Sequence, residues 1–336
     1  MDKFKVRCLS SFGLFILVYI VFNIFSCTGI EDSEDINIVT SNIVETGSNT
    51  ISHSLEWVDT EHSENSYKGT IVMSEQDYFD SKNYKESYWW LDKHGNPDEY
   101  KLKNSKNAFL HLKEAFVWNR DVSSYTFDDD RWNSSYLKTT GFKEGYSYMK
   151  SYYHDKSRLD YLYSVFNKIQ KEKNLNRNEF ADMIVSFVQN IDYSLPVSTS
   201  CEEACREYDW IKKHIDNGGS CDSYVPFGYY SPNEFMGNWK GDCDTRTVFL
   251  FTVLKHYSYD VIILNSDLYS HSILGINLTP LEISNPLYKF HNRKRYYTWE
   301  TTSQWPLGLL PPDCSNMNYW NAALDNNLQS SVKYIN

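Results

Sequence analysis

Glycine and proline are scarce in this chain of 336 residues, 14 and 9 respectively. That excludes collagen-like repeats and long low-complexity linkers, and no internal period of the solenoid or propeller kind is present. Basic residues are outnumbered, 33 Lys and Arg against 44 Asp and Glu, for a formal net charge of −11. No basic stripe runs along the chain, which argues against nucleic acid as a partner, since phosphate binding draws on clustered Lys and Arg. No GxxxxGK[ST] or GxGxxG loop occurs, so nothing points to a nucleotide and no cofactor is implied. What is abundant is aromatic: 27 Tyr, 18 Phe and 10 Trp make up 16% of the residues. So much apolar surface excludes intrinsic disorder. The length allows one large domain or two of ordinary size.

The longest apolar run, Phe12 to Phe25, follows Lys3, Lys5 and Arg7. A basic start and an apolar stretch short of the roughly 20 residues of a membrane-spanning helix form the pattern of a secretory signal, here residues 1–26. The run ends at Ile24-Phe25-Ser26-Cys27, which resembles the lipobox of bacterial lipoproteins, where the Cys is lipidated and becomes the new N-terminus. The resemblance implies a membrane partner through a lipid on Cys27. Phe25 is bulkier than the residue usual at that place, so an uncleaved N-terminal anchor helix is the alternative. Glu31, Asp32, Glu34 and Asp35 resemble the acidic sorting stretch of some Gram-negative surface lipoproteins, and a plain solvated linker has the same composition. The implied location is the cell envelope, with the chain lipid-anchored to the outer membrane and exposure at the cell surface left open. Loss of residues 1–26 removes Asp2 and three basic residues, leaving 30 basic against 43 acidic, or −13.

Of seven Cys, Cys8 leaves with the signal and Cys27 takes the lipid, so Cys201, Cys205, Cys221, Cys243 and Cys314 remain. Five is odd, so at least one thiol stays free in an oxidising compartment. Either Cys201 or Cys205 can pair with Cys221 or Cys314, and spacing does not choose. A Cys243 tied to Cys221 or Cys314 would be chemically inert. No Cys or His pair beside this cluster has zinc spacing, so no metal is expected. Asp128, Asp129 and Asp130 are of the type that holds calcium, although a run of three acids is more simply a solvated loop.

Residues 27–50 are polar and aperiodic, a tether behind the lipidated Cys. Residues 51–150 alternate short patches ("HSLEWVD", "SYKGTIVM", "ESYWWLD") with turn residues, which predicts a β-rich region, either a module or an extension packed on the rest. From 151 to 336 the pattern becomes α+β. Leu159, Leu162, Val165, Phe166 and Ile169 share one helical face, as do Phe180, Ile184, Phe187, Val188 and Ile191, with Pro196 ending the second helix. Gly241-Asp242-Cys243-Asp244 then opens an apolar stretch to His256, a loop entering a buried helix with Cys243 at its N-terminus. Helix dipole and free N–H groups there favour a thiolate, and Asp242 and Asp244 oppose it, so an imidazolium is needed nearby. His271 opens a strand-like stretch, Ser270 to Ile276, and Glu300 lies near the end of another, Arg295 to Thr302. Adjacent strands would set the carboxylate behind the imidazole.

These words, "GDCD", "YSHSILGI", "YYTWETT" and the upstream "FVQNIDY", resemble in that order the transglutaminase-like superfamily, over roughly residues 155–312. The resemblance implies a helix bearing the nucleophile packed on an antiparallel sheet, with Cys243 as nucleophile, His271 as base and acid, and Glu300 as the orienting carboxylate. Many members have Asp at the third place. The implied activity is thiol acyl transfer, by a peptidase or amidase on a peptide or protein substrate. The alternatives are a protein transamidase or a binding or structural lipoprotein that keeps the fold without turnover. The Cys243 N–H and one of Trp239, Gln189 or Tyr230 are the candidates for an oxyanion hole. Tyr224, Phe227, Tyr229, Tyr230 and Trp239 are expected to line a cleft or fill the core.

Overall fold

Alternation along two nine-residue segments builds a hairpin at the start of the described residues: β1 (Thr50–Val58) pairs antiparallel with β2 (Ser66–Ser74). This computed structural model describes residues 49–60, 64–89, 144–280 and 283–325. The signal stretch, Cys27, nearly all of the tether and Asp128, Asp129 and Asp130 lie outside the described residues. One face of the hairpin carries Leu55, Trp57, Tyr67, Ile71 and Met73, all buried. It lies on α3 (Asp160–Lys173) and α4 (Arg177–Gln189), within the same hydrophobic core as their Phe166, Phe180 and Phe187. The Trp57 indole donates to the Met183 carbonyl at 3.1 Å and meets the Phe187 ring edge-on at 5.1 Å. The hairpin is thus an extension packed on the second part of the chain.

Within the region expected to be β-rich, residues 75–89 are helical. Residues Glu75–Trp89 form α1, with Glu75 and Asp77 in its first turn, where carboxylates suit the positive end of the dipole. The side chains that α1 buries are polar. Ser81 donates to Asp155 at 2.6 Å, and Lys85 pairs with Glu234 at 2.7 Å, both fully enclosed. Apolar periodicity cannot register such a face. The expected boundary at residue 150 falls inside α2 (Glu144–Asp155), which packs against α1.

Asn174 caps α3 in the left-handed region, and Asn176 with Glu179 closes a capping box on α4. Helix α4 stops at Gln189, so Pro196, expected to end it, instead lies in β3 (Ser194–Pro196). β3 pairs in parallel with β4 (Ser220–Asp222), and between them run α5 (Cys201–Glu207) and α6 (Asp209–Asp216). Next come α7 (Pro232–Asn238) and α8 (Cys243–His256). The middle of α8, Val248 to Leu254, is buried on every side, as an all-apolar helix must be.

The remaining strands are β5 (Val261–Ser266), β6 (His271–Ile276), β7 (Tyr288–His291), β8 (Lys294–Trp299) and β9 (Asn321–Leu324). They form one antiparallel sheet in the order β7-β8-β6-β5-β9. Val261, Ile263, Leu274, Ile276 and Trp299 join the helical core, where α8 packs on β5 and β6. Ile262, Leu264, Ile273 and Tyr296 form a second core with Leu310, Cys314 and Trp320. The protein is α+β, with α8 on an antiparallel sheet. Among the described residues no helix is long and apolar enough to cross a membrane.

Because Trp57 fills the seam between hairpin and helices, Trp57→Ala is expected to cost about 3–5 kcal/mol. A urea midpoint lowered at constant slope checks this; an unchanged midpoint would make the hairpin peripheral.

Candidate active site

Asp242 caps α8: its Oδ1 accepts the Thr245 N–H at 3.0 Å and the Thr245 hydroxyl at 2.6 Å. Cys243 follows as the first helical residue, a free thiol with 9% of its surface exposed. Gly241 precedes the cap because nothing larger fits, a Cβ there falling 2.4 Å from Thr245 Cγ2. Strand β6 meets this first turn directly. The Thr247 and Ser272 hydroxyls are 2.8 Å apart, and the Ser272 backbone N–H reaches the Cys243 sulfur. The residue before Ser272 is His271, so the strand position next to the one that meets Cys243 carries the imidazole.

The His271–Glu300 contact follows from the sheet. The β6–β8 ladder runs from Ile276↔Tyr297 to Leu274↔Trp299, and its next rung would pair Ile273 with Glu300. His271, two residues further along β6, shares that face and sits diagonally across from the carboxylate. Its Nε2 lies 2.9 Å from Glu300 Oε2. Glu300 Oε1 accepts the Thr301 and Thr302 N–H groups, each at 2.9 Å, and the Thr302 hydroxyl at 2.7 Å. Burial opposes the charge, yet His271 and the Thr302 donors hold the Glu300 carboxyl below its usual range. An ionised Glu300 only accepts, so Nε2 carries a proton, and Nδ1 is the atom with the lone pair whenever the ring is neutral. At Cys243 the balance is reversed. Burial, then the Asp244 and Asp242 carboxylates, push the thiol well up, against the Ser272 N–H. The resting sulfur is a thiol, and the helix dipole does not override its acidic neighbours.

No family model, curated protein or solved structure matches this chain.

Arg246, one turn into α8, is fully buried and binds no carboxylate directly. Its guanidinium donates to four carbonyls, those of Gly241 (3.0 Å), Val188 (2.9 Å), Thr301 (3.1 Å) and Ile191 (2.6 Å). Burial lowers its pKa to about 10, opposed by Tyr193, Asp242 and Glu300, so it stays charged. The sequence held one clue to it, a cation placed between the capping residues and the apolar stretch that begins at Val248.

Two oxyanion candidates are committed elsewhere. Both N–H groups of Gln189 are used, on the carbonyls of Glu300 (2.8 Å) and Trp305 (3.0 Å), while its oxygen accepts from Thr60 at 2.5 Å. Gln189 therefore holds the Glu300 segment. The Tyr230 hydroxyl bonds Asp222, which also takes Lys240 at 2.9 Å and Ser194 at 3.1 Å. Trp239 adopts a left-handed conformation (φ 57°) and stacks on His53 at 4.9 Å, with Phe187 edge-on at 5.4 Å. That ring wedges α7 between hairpin and α4. Tyr224, Tyr229 and Tyr230 are buried, so these members of the aromatic run fill the interior.

Cys201 pairs with Cys221, Cα atoms 6.2 Å apart, which removes Cys201 as a zinc ligand. Cys205 is free, as is Cys243, and Cys314 pairs with neither Cys201 nor Cys221. Among the described residues no group of three or more His, Cys, Asp or Glu is placed to hold a metal ion.

Because Asp244 is the leading charge on the thiol, Asp244→Asn is expected to lower the Cys243 pKa. Alkylation by iodoacetamide at pH 8 should then rise by roughly three- to tenfold, as less than one to one pKa unit requires; an unchanged rate would refute that cause. Burial first, partly offset by the Thr245 hydrogen bonds, raises Asp242 to about 6 from 3.8. The folded state therefore favours its protonated form, and its contribution to stability falls as pH rises between those values. Asp242→Asn should gain on the native chain from pH 4 to pH 7, whereas Asp242→Ala loses the cap, about 0.5–2 kcal/mol. Urea midpoints of the three proteins at both pH values check the sign.

Proposed function

We propose that the chain is a thiol acyl-transfer enzyme of transglutaminase-like fold, a peptidase or amidase acting outside the cytoplasm and anchored by a lipid on Cys27 to the outer membrane. The observation that carries the reading is the His271–Glu300 pair, bonded through Nε2 at 2.9 Å, which leaves Nδ1 for Cys243, among the described residues the one free thiol at a helix N-terminus. In the first step His271 Nδ1 takes the Cys243 proton as sulfur bonds to the substrate carbonyl carbon, and the π pair moves onto oxygen. The oxyanion collapses, the C–N bond breaks, and the leaving amine takes the proton from His271, giving a thioester. Water then attacks with its proton passing to His271; the C–S bond breaks, releasing the acid, and the sulfur regains that proton. Glu300 holds the ring and balances the imidazolium formed midway.

A non-catalytic binding lipoprotein is the second reading, favoured by the small exposure of Cys243 and its raised pKa. p-Nitrophenyl acetate separates the two. The enzyme reading expects a p-nitrophenolate burst, an acetyl group mapped to Cys243 by mass spectrometry, and neither in Cys243→Ala, with Tm within about 3 °C of the native chain. No acetyl-Cys243 in the native chain would sink it. Cadaverine in the acyl-transfer assay tests the transamidase alternative, for which the acetyl group should appear on the amine.

A further inference from the structure

The Cys243 N–H, at the first position of α8, has no intrahelical partner and can bind an oxyanion, but one donor makes an incomplete hole. Tyr193 is placed to supply the other. It lies where the chain leaves α4 for β3, and its backbone bridges to Gly241 in parallel, with the Ser194 N–H on the Gly241 carbonyl at 3.3 Å. The phenol is therefore set beside the loop that carries the thiol. Its ring is held from two sides, edge-on to His214 at 5.6 Å and 5.7 Å from the Arg246 guanidinium carbon. The side chain is half-buried, and its hydroxyl makes no hydrogen bond among the described residues. Burial first, with Cys243 and Asp242 beside it, holds that hydroxyl well above its ordinary pKa, so it remains an O–H donor. After burial, a charge on the Cys243 sulfur would have the largest effect on it.

We propose that the Tyr193 hydroxyl is the second oxyanion donor, acting with the Cys243 N–H on the oxygen of the tetrahedral intermediate. The assignment rests on the acyl-transfer reading of the same site. Tyr193 donates a hydrogen bond and transfers no proton, so it serves only steps in which charge develops on the carbonyl oxygen. Alkylation by iodoacetamide needs the thiolate and builds no oxyanion, whereas acetylation by p-nitrophenyl acetate needs both.

Tyr193→Phe keeps the ring between His214 and Arg246, and its Tm confirms that the chain is folded. The alkylation rate of Cys243 should stay within about twofold of the native chain, while acetylation falls about 10²- to 10³-fold, the loss typical of one oxyanion donor. Acetylation within threefold of native overturns the assignment, and so does an equal fall in both rates, which would mark a general effect on the thiol. A native chain that never acetylates Cys243 overturns the acyl-transfer reading and this assignment together, an outcome distinct from failure of Tyr193 in a chain that does.

Discussion

One buried cation holds the candidate site together. The carbonyls at the end of α4 have no partners within their own helix, and the loops after them have no sheet to join. Arg246 bonds two of these, Val188 and Ile191, and with the same planar group bonds Gly241 before the Asp242 cap and Thr301 after Glu300. Three stretches distant in sequence are thereby fixed to the second turn of α8. A lysine offers a point charge and could not span the four acceptors. Burying an ion costs several kcal/mol, offset here by carbonyl dipoles and by ionised Glu300 nearby.

Charge around the site is arranged so that one carboxylate is ionised and the sulfur is not. Glu300 takes four donors on its two oxygens, and Cys243 has two acids beside it in sequence. The same low-polarity surroundings give opposite results because one group is surrounded by hydrogen and the other by negative oxygen.

Much of this was legible in the chain. Asp242 followed by an apolar stretch announced α8, and alternation at Leu55, Trp57, Ile71 and Met73 announced hairpin strands. His271 and Glu300 could be paired because both sit at ends of strand-like runs. Helix α1 was not legible, since Ser81 and Lys85 mimic an exposed face and their partners Asp155 and Glu234 lie far along the chain. Gln189 looked available as a donor for the same reason: the carbonyls it serves, Glu300 and Trp305, are more than 100 residues away. Periodicity reports which side chains avoid water; it does not report which buried polar groups meet.

The α1–α2 pairing governs how the chain enters and leaves this body. Tyr84 stacks on His154, and both Lys85 and Ser151 reach Tyr229, so the two helices run side by side in opposite directions. Trp89 closes one and Glu144 opens the other, at neighbouring points of the surface. Loop-closure entropy grows only logarithmically, and doubling the length of an intervening span costs about 0.6 kcal/mol, comparable to one hydrogen bond. The α1–α2 pair therefore holds together the two points from which residues 90–143 leave and return.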